Sequence, residues 1–191
     1  WVPQKRPELL RPRAGPTNVR APTVAGQFYP GAPAELYGEV ARYLTSSPAV
    51  GLRQTRAILV PHAGYTYSGE VAATGFREVG RDFRRVFILA SNHNGKADFA
   101  GVSIPDATHY RIPGAEVPLS AIADDLGGDP LFGHEPGAHT MHMIEVELPF
   151  LHYLHGLPSE ADYEIVPMIL GRMDVDQTER LAEILDTYAG G

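Results

Sequence analysis

Apolar residues along the chain fall into two alternating patterns. Leu36, Val40 and Leu44 recur at helical spacing, which predicts a helix over Ala34–Leu44. Arg56–Val60 (RAILV) is a short apolar run followed by turn residues and reads as a buried strand. Gly69–Val79 reads as a helix, with Val71, Phe76 and Val79 as its apolar positions. Arg85–Ala90 (RVFILA) reads as a second buried strand, and Gly101–Ile104 as a shorter third one. Further helices are expected at Leu119–Leu126 and over Thr140–Leu154, the latter with Pro149 inside it and able to kink it. Tyr163–Leu170 is another apolar strand, interrupted or edged by Pro167. Asp176–Tyr188 closes the pattern as a helix with Leu181, Ile184 and Leu185 on one face and Asp174 or Asp176 as its cap. Strands alternating with helices define an α/β layer fold. Continuously apolar strands favour a largely parallel sheet covered by helices on both faces.

Ahead of this pattern, residues 1–21 read as a basic, proline-rich tail. Residues 1–20 hold four prolines and five Lys/Arg against a single Glu. Residues 22–191 then form one α/β domain. The chain as a whole has 191 residues and a net charge of −7, which argues against a nucleic-acid or anionic-membrane surface. No apolar run reaches the roughly 18 residues of a membrane helix, and no secretory signal is visible. Cysteine is absent, which excludes disulfides, iron–sulfur clusters and thiol nucleophiles and is in keeping with a cytoplasmic setting. Any metal site must therefore use the eight histidines, carboxylates and water.

Two loops concentrate the chemistry. Pro61-His62-Ala63-Gly64-Tyr65-Thr66-Tyr67-Ser68-Gly69 follows RAILV, and Ser91-Asn92-His93-Asn94-Gly95 follows RVFILA. Each places a histidine just past the C-terminal end of an expected parallel strand, the edge at which open α/β sheets bind ligands. The two are 31 residues apart, the length of one βαβ unit, and a right-handed crossover brings both to one rim. Adjacent strands lie about 4.8 Å apart, so two imidazoles there can share a cation. The neighbouring glycines are expected to supply positive φ or close backbone approach. The first loop lacks the Gly-Lys-Ser/Thr ending of a P-loop, and Ser68 lacks the frame of a nucleophile elbow. His142 and Glu145, three apart on the expected helix, can ligate metal or relay a proton, whereas His139, His152 and His155 read as a solvated face.

Taken together, PHAGYTYSG at 61–69, Asn92-His93 after a strand, His142-x-x-Glu145-x-x-Leu148-Pro149-Phe150-Leu151 and Gly26-Gln27-Phe28-Tyr29-Pro30 resemble the MEMO family. Its bacterial and archaeal members are known as AmmeMemoRadiSam system protein B. The resemblance covers roughly residues 22–188. It departs from the usual pattern at Ala90-Ser91, where members have Gly-Pro, and at Met141, where they have an acidic residue. It implies a fold related to class III extradiol dioxygenases, which use non-haem iron. By that analogy His62 and His93 are metal ligands, His142 and Glu145 are the catalytic pair near the pocket, and Tyr65, Tyr67 and Asn92 border it. Members continue beyond the region present here into a segment that carries a third ligand, often a cysteine. The implied cofactor is a divalent metal, iron first, then copper or zinc. The implied partner is a small-molecule substrate, with oxidoreductase chemistry of the dioxygenase type. The other reading is a non-catalytic module that takes acidic or phosphotyrosine-like short peptides. Glu145 is expected to stand behind an imidazole and hold its tautomer.

Overall fold

The computed structural model describes residues 10–52, 55–93, 98–157 and 161–189. Strand β1 (Val19–Arg20) is followed by helices α1 (Pro33–Ser46) and α2 (Tyr65–Phe76). Strands β2 (Arg85–Ser91), β3 (Val102–Ser103), β4 (His109–Ile112) and β5 (Ala115–Pro118) come next, then α3 (Ile122–Leu126) and β6 (Phe132–Gly133). Helix α4 (Leu148–Leu154), strand β7 (Glu164–Leu170) and helix α5 (Val175–Ala189) complete the order. The larger sheet runs β2-β7-β3-β6, with β2/β7 and β3/β6 parallel and β7/β3 antiparallel. The smaller runs β1-β4-β5, β1 parallel to β4 and β4 hairpinned to β5. Helices pack around these mostly parallel sheets, so the α/β class holds.

Most elements follow from the pattern of apolar positions, and the differences have local causes. Pro149 does not kink a long helix. It sits in the first turn of α4, where its missing N–H removes no hydrogen bond, and the segment before it forms short 3-10 turns at Pro136–Thr140 and Glu145–Glu147. β7 runs unbroken through Pro167, because β3 meets it only at Ile169 and Leu170 and no strand needs a donor from Pro167 on that side. α5 opens on a reciprocal cap in which Gln177 N–H donates to Asp174 Oδ1 at 2.8 Å and Asp174 N–H to Gln177 Oε1 at 3.1 Å. The β4–β5 hairpin turns on Pro113-Gly114, with Gly114 at φ +89°. Proline first and a left-handed glycine second is the chemistry of a type II turn.

RAILV departs most from expectation. Arg56–Val60 forms no ladder with any described strand. Burial still alternates along it: Ile58 and Val60 pack on the core beneath α2, and Leu59 is fully exposed. The glycine of α2 nearest to it, Gly75, has Val60 so close that a Cβ would meet it at 2.6 Å. Gly69 plays the same part towards α1, where a Cβ would lie 2.7 Å from the Tyr43 ring. The glycines of PHAGYTYSG thus serve close approach, and neither Gly64 nor Gly69 takes a positive φ.

Residues 10–21 of the basic segment lie along the domain. Arg13 N–H donates to Leu119 O at 2.7 Å and Ala121 N–H to Arg11 O at 2.6 Å. The Arg13 guanidinium meets Asp124 at 2.7 Å and the carbonyls of Pro105 and Ala107. Its positive charge is therefore matched by the domain's own acids. Residues 1–9 of the expected tail fall outside the described residues.

The three histidines assigned to a solvated face are mostly inside. His139 and His152 are buried, and His155 Nε2–H donates to Phe83 O at 3.0 Å while its Nδ1 pairs with Asp162 at 2.6 Å. Burial lowers His139 to about 3 and His152 to about 4, so both fold as neutral imidazoles. Glu147 is shifted the other way: burial raises it to about 8, so it folds protonated. The signs are opposite. The unfolded chain takes up more protons than the folded one at the two histidines below about pH 6.5, which removes stability as pH falls. The folded chain holds the extra proton at Glu147 between about pH 4.5 and 8, which removes stability as pH rises. Stability from these groups should therefore peak near pH 6.5 and fall by up to about 0.8 kcal/mol per pH unit on the alkaline side. Urea titrations across pH 5–8 check this: Glu147→Gln should abolish the alkaline decline, and a decline that survives the substitution refutes the assignment.

Candidate metal centre

Three histidines from three separate stretches of chain meet at one rim. His62 follows the RAILV segment, and His93 lies two residues past the end of β2. His142 lies between the two 3-10 turns ahead of α4. His62 Nε2 and His93 Nδ1 are 3.3 Å apart, and their rings stack at 4.9 Å between centroids. The His142 ring stands 6.0 Å from His62 and 6.1 Å from His93. One nitrogen from each falls within 4.8 Å of the others, so the three could hold a single metal ion. Sequence spacing paired His62 with His93. The structure adds His142 to that pair as a third nitrogen donor.

Local structure explains the convergence. Asn92 N–H donates to Leu170 O at the end of β7, which extends the sheet ladder by one residue and sets where the chain turns into His93. Asn92 itself is half-buried there, and Asn94 and Gly95 lie outside the described residues. On the other side, α2 begins three residues after His62. Its first amide, Tyr65 N–H, donates to Phe28 O at 2.7 Å, and Gly64 packs against the Phe28 backbone. The Phe28 ring in turn lies 4.6 Å from the His142 ring. Phe28 therefore touches both the helix that follows one histidine and the ring of another. Nothing in the apolar pattern singled it out, although it stands in the Gly26–Pro30 stretch.

Electrostatics favour ligation. Burial, and then the neighbouring His93, lower the pKa of His62; burial, and then His62 and His93, lower that of His142. Both stay neutral near pH 7, and a neutral imidazole is the form that binds metal. His93 is the exposed member of the three. Among the described residues no carboxylate joins the group.

Glu145 is the reason. It is fully buried, and both of its oxygens point away into the segment 20–29. They accept from the Arg20 guanidinium, from Thr23 N–H at 2.9 Å and Thr23 Oγ1 at 3.0 Å, from Val24 N–H at 3.0 Å and from Tyr29 Oη at 2.6 Å. Arg20 also donates to Met141 O at 2.7 Å and His139 O at 3.1 Å. Burial alone would raise the carboxyl pKa; the Arg20 charge and the donors from Tyr29 and Thr23 outweigh it and hold Glu145 ionised, below the usual value. The expectation that Glu145 holds an imidazole is thus corrected: among the described residues, none of its hydrogen bonds reaches a histidine.

The tyrosines of the first loop separate. Tyr65 is buried, with its hydroxyl donating to Val146 O at 2.8 Å and its ring against Phe150. Tyr67 is 88% exposed on the outer face of α2. Two cavities, of about 280 and 650 Å³, are lined by other parts of the chain, including Arg13 with His134 and His109 with Glu116. The histidine rim is open to solvent rather than sunk in either of them.

In this α/β domain three histidines group at a sheet rim, a donor set that could hold a metal ion. The comparisons agree on its lineage: the family model for Memo-like protein matches residues 20–190, and the chain belongs to the Memo family. A MEMO1 family protein of Caldivirga maquilingensis is 31% identical over 193 residues, covering 90% of this chain and 64% of its own. One from Thermotoga neapolitana is 34% identical, covering 87% and 62%, and one from Sulfolobus acidocaldarius is 32% identical, covering 86% and 62%. The chain thus spans less than two thirds of the length of these relatives. Among the described residues no helix is long and apolar enough to cross a membrane.

The Glu145 cluster makes a direct prediction. Glu145→Gln leaves Arg20 buried without its counter-charge, and should cost about 3–5 kcal/mol of stability. Urea unfolding measures it; a loss under about 1 kcal/mol would show that the cluster does not clamp the segment.

Proposed function

We propose that this chain binds a divalent metal ion through His62, His93 and His142 and acts with it on a small-molecule substrate in the cytoplasm. The observation that carries the reading is the convergence of three imidazole nitrogens within 4.8 Å at an open rim. The donor set fits such an ion: three nitrogens, two of them on rings held neutral by their surroundings, with coordination positions left towards solvent. Iron is the proposed metal, on the likeness to non-haem-iron dioxygenases. When bound it would supply Lewis acidity and a redox couple for oxidative chemistry.

The chain's own residues do the rest. His62 and His142 stay neutral and keep a lone pair available. Phe28, against the His142 ring, limits the rotation of that imidazole. Arg20 and Glu145 fix the backbone on either side of His142 through Met141 O and the segment 23–29. The exposed face of His93 is where a substrate would first touch the protein. The openness of that rim also favours a second reading, in which the same histidines take an acidic peptide side chain without turnover.

Nitrogen donors bind copper and zinc more tightly than iron whatever the native metal, so affinity alone does not identify it. Two measurements together test the proposal. Elemental analysis of protein purified without oxygen should find iron near one equivalent. Calorimetry with Fe(II) should show binding weakened at least tenfold in each of His62→Ala, His93→Ala and His142→Ala. Binding unchanged in all three refutes the site, and peptide binding by metal-free protein would favour the second reading.

A further inference from the structure

The smaller cavity, of about 280 Å³, lies away from the three histidines of the metal centre. β3 is antiparallel to β7 and parallel to β6, so the chain leaving β3 at Ile104 and β6 at His134 heads away from the rim where β2 and β7 finish. Ile104, Ala123 and Phe132 give the cavity buried apolar walls, and Arg13, Asp106 and His134 bring polar side chains to it. The N-terminal segment fixes one wall. Arg13 Nη1 donates to Pro105 O at 2.6 Å and to Ala107 O at 3.1 Å, and Asn18 Nδ2 donates to Asp106 O between them. Three successive carbonyls of the loop after β3 are thus held in place, which lowers the ordering cost of binding there. His134 is fixed as well. Its Nδ1 donates to Ile104 O at 2.9 Å, and its ring stacks 6.1 Å from that of His139, which is itself tied to Ser103 Oγ at 2.9 Å.

These bonds leave a definite set of polar groups unused. Ile104 O only accepts, so the neutral His134 ring carries its hydrogen on Nδ1 and keeps its lone pair on Nε2. The Asp106 carboxylate meets no donor among the described residues. Arg13 spends Nε on Asp124 at 2.7 Å and Nη1 on the two carbonyls, and its Nη2 donates to none of the described residues. Two acceptors, one of them charged, and one cationic donor therefore surround an apolar hollow. An amine alone would leave Arg13 Nη2 unmet, and an acid alone would face the charge of Asp106. An ammonium and a carboxylate on one small apolar molecule satisfy all three, and the volume suits a single such molecule. We propose that this cavity binds a free α-amino acid with an apolar side chain. Its ammonium sits on Asp106 and His134 Nε2, its carboxylate on Arg13, and its side chain against Ile104, Ala123 and Phe132. Arg13 and Asn18 precede residue 20, where the match to the family model begins, so the site draws on residues outside that match. It uses neither the metal nor any of the three histidines proposed to hold it.

Calorimetry on the 191-residue chain tests it with L-leucine and with the two halves of that molecule, 3-methylbutylamine and 4-methylpentanoate. Leucine should bind with a Kd of about 1 mM or tighter, and each half about tenfold more weakly or worse. Asp106→Asn and His134→Phe, both at exposed positions, should each weaken leucine binding about tenfold or more. Glu116→Gln, at the larger cavity, should leave it unchanged. No leucine binding up to about 10 mM, or a half that binds as tightly as the whole, overturns the proposal. So does leucine binding that either Asp106→Asn or His134→Phe leaves unweakened. Loss of binding in Glu116→Gln overturns it too, since the ligand would then sit in the larger cavity.

Discussion

The buried Glu145 carboxylate organises the candidate site without entering it. Placing a charge where water cannot reach is unfavourable unless the lone pairs are satisfied and a counter-charge is close. Here one guanidinium, two backbone amides and two hydroxyls converge on it, all from residues 20–29. Those residues have no long helix or strand to hold them, and β1 is only two residues long. The carboxylate does that work instead. By fixing residues 23–29 it places Phe28 where its carbonyl receives the first amide of α2 and its ring meets His142. A single ionised side chain thus links the start of the domain, the N-terminus of a helix and one of the three imidazoles.

Much of the fold could be read in the sequence because its signals were local. α1, β2, β7 and α5 announce themselves by apolar period, and each formed close to the expected limits. The β4–β5 hairpin is marked only by Pro113-Gly114 between short alternating stretches, a weaker signal than the continuous apolar runs. The periodicity of Thr140–Leu154 fits one helix because it does not show where a helix starts; Pro149 marks that start. RAILV reads as a strand and has the burial rhythm of one. What the sequence could not show is that no described neighbour pairs with it, since pairing belongs to the partner and not to the segment.

The site was legible in part for the same reason. His62 and His93 each follow an apolar stretch by one or two residues, so the sequence could suggest one rim, although the first stretch pairs with no described strand. His142 could be marked as a site residue but not placed, because its position depends on contacts across the whole chain. A carboxylate three residues from a histidine on an expected helix suggests a shared face; His142 instead lies in a bend ahead of the 3-10 turn that Glu145 opens, so no helical face joins them and Glu145 meets Arg20. The burial of His139 and His152 was equally invisible, since an imidazole reads as polar whether or not the fold encloses it.

Glu145 and Arg20 are 125 residues apart in sequence, against 31 for His62 and His93. Bringing ends together costs entropy that grows with the logarithm of the span, about 0.6 kcal/mol for each doubling, so the longer closure is dearer by about 1.2 kcal/mol. The histidine pair therefore asks for the smaller closure, and the third imidazole with its aromatic neighbour for the larger. Any loosening of the Arg20–Glu145 contact releases that larger loop, and with it the third side of the rim.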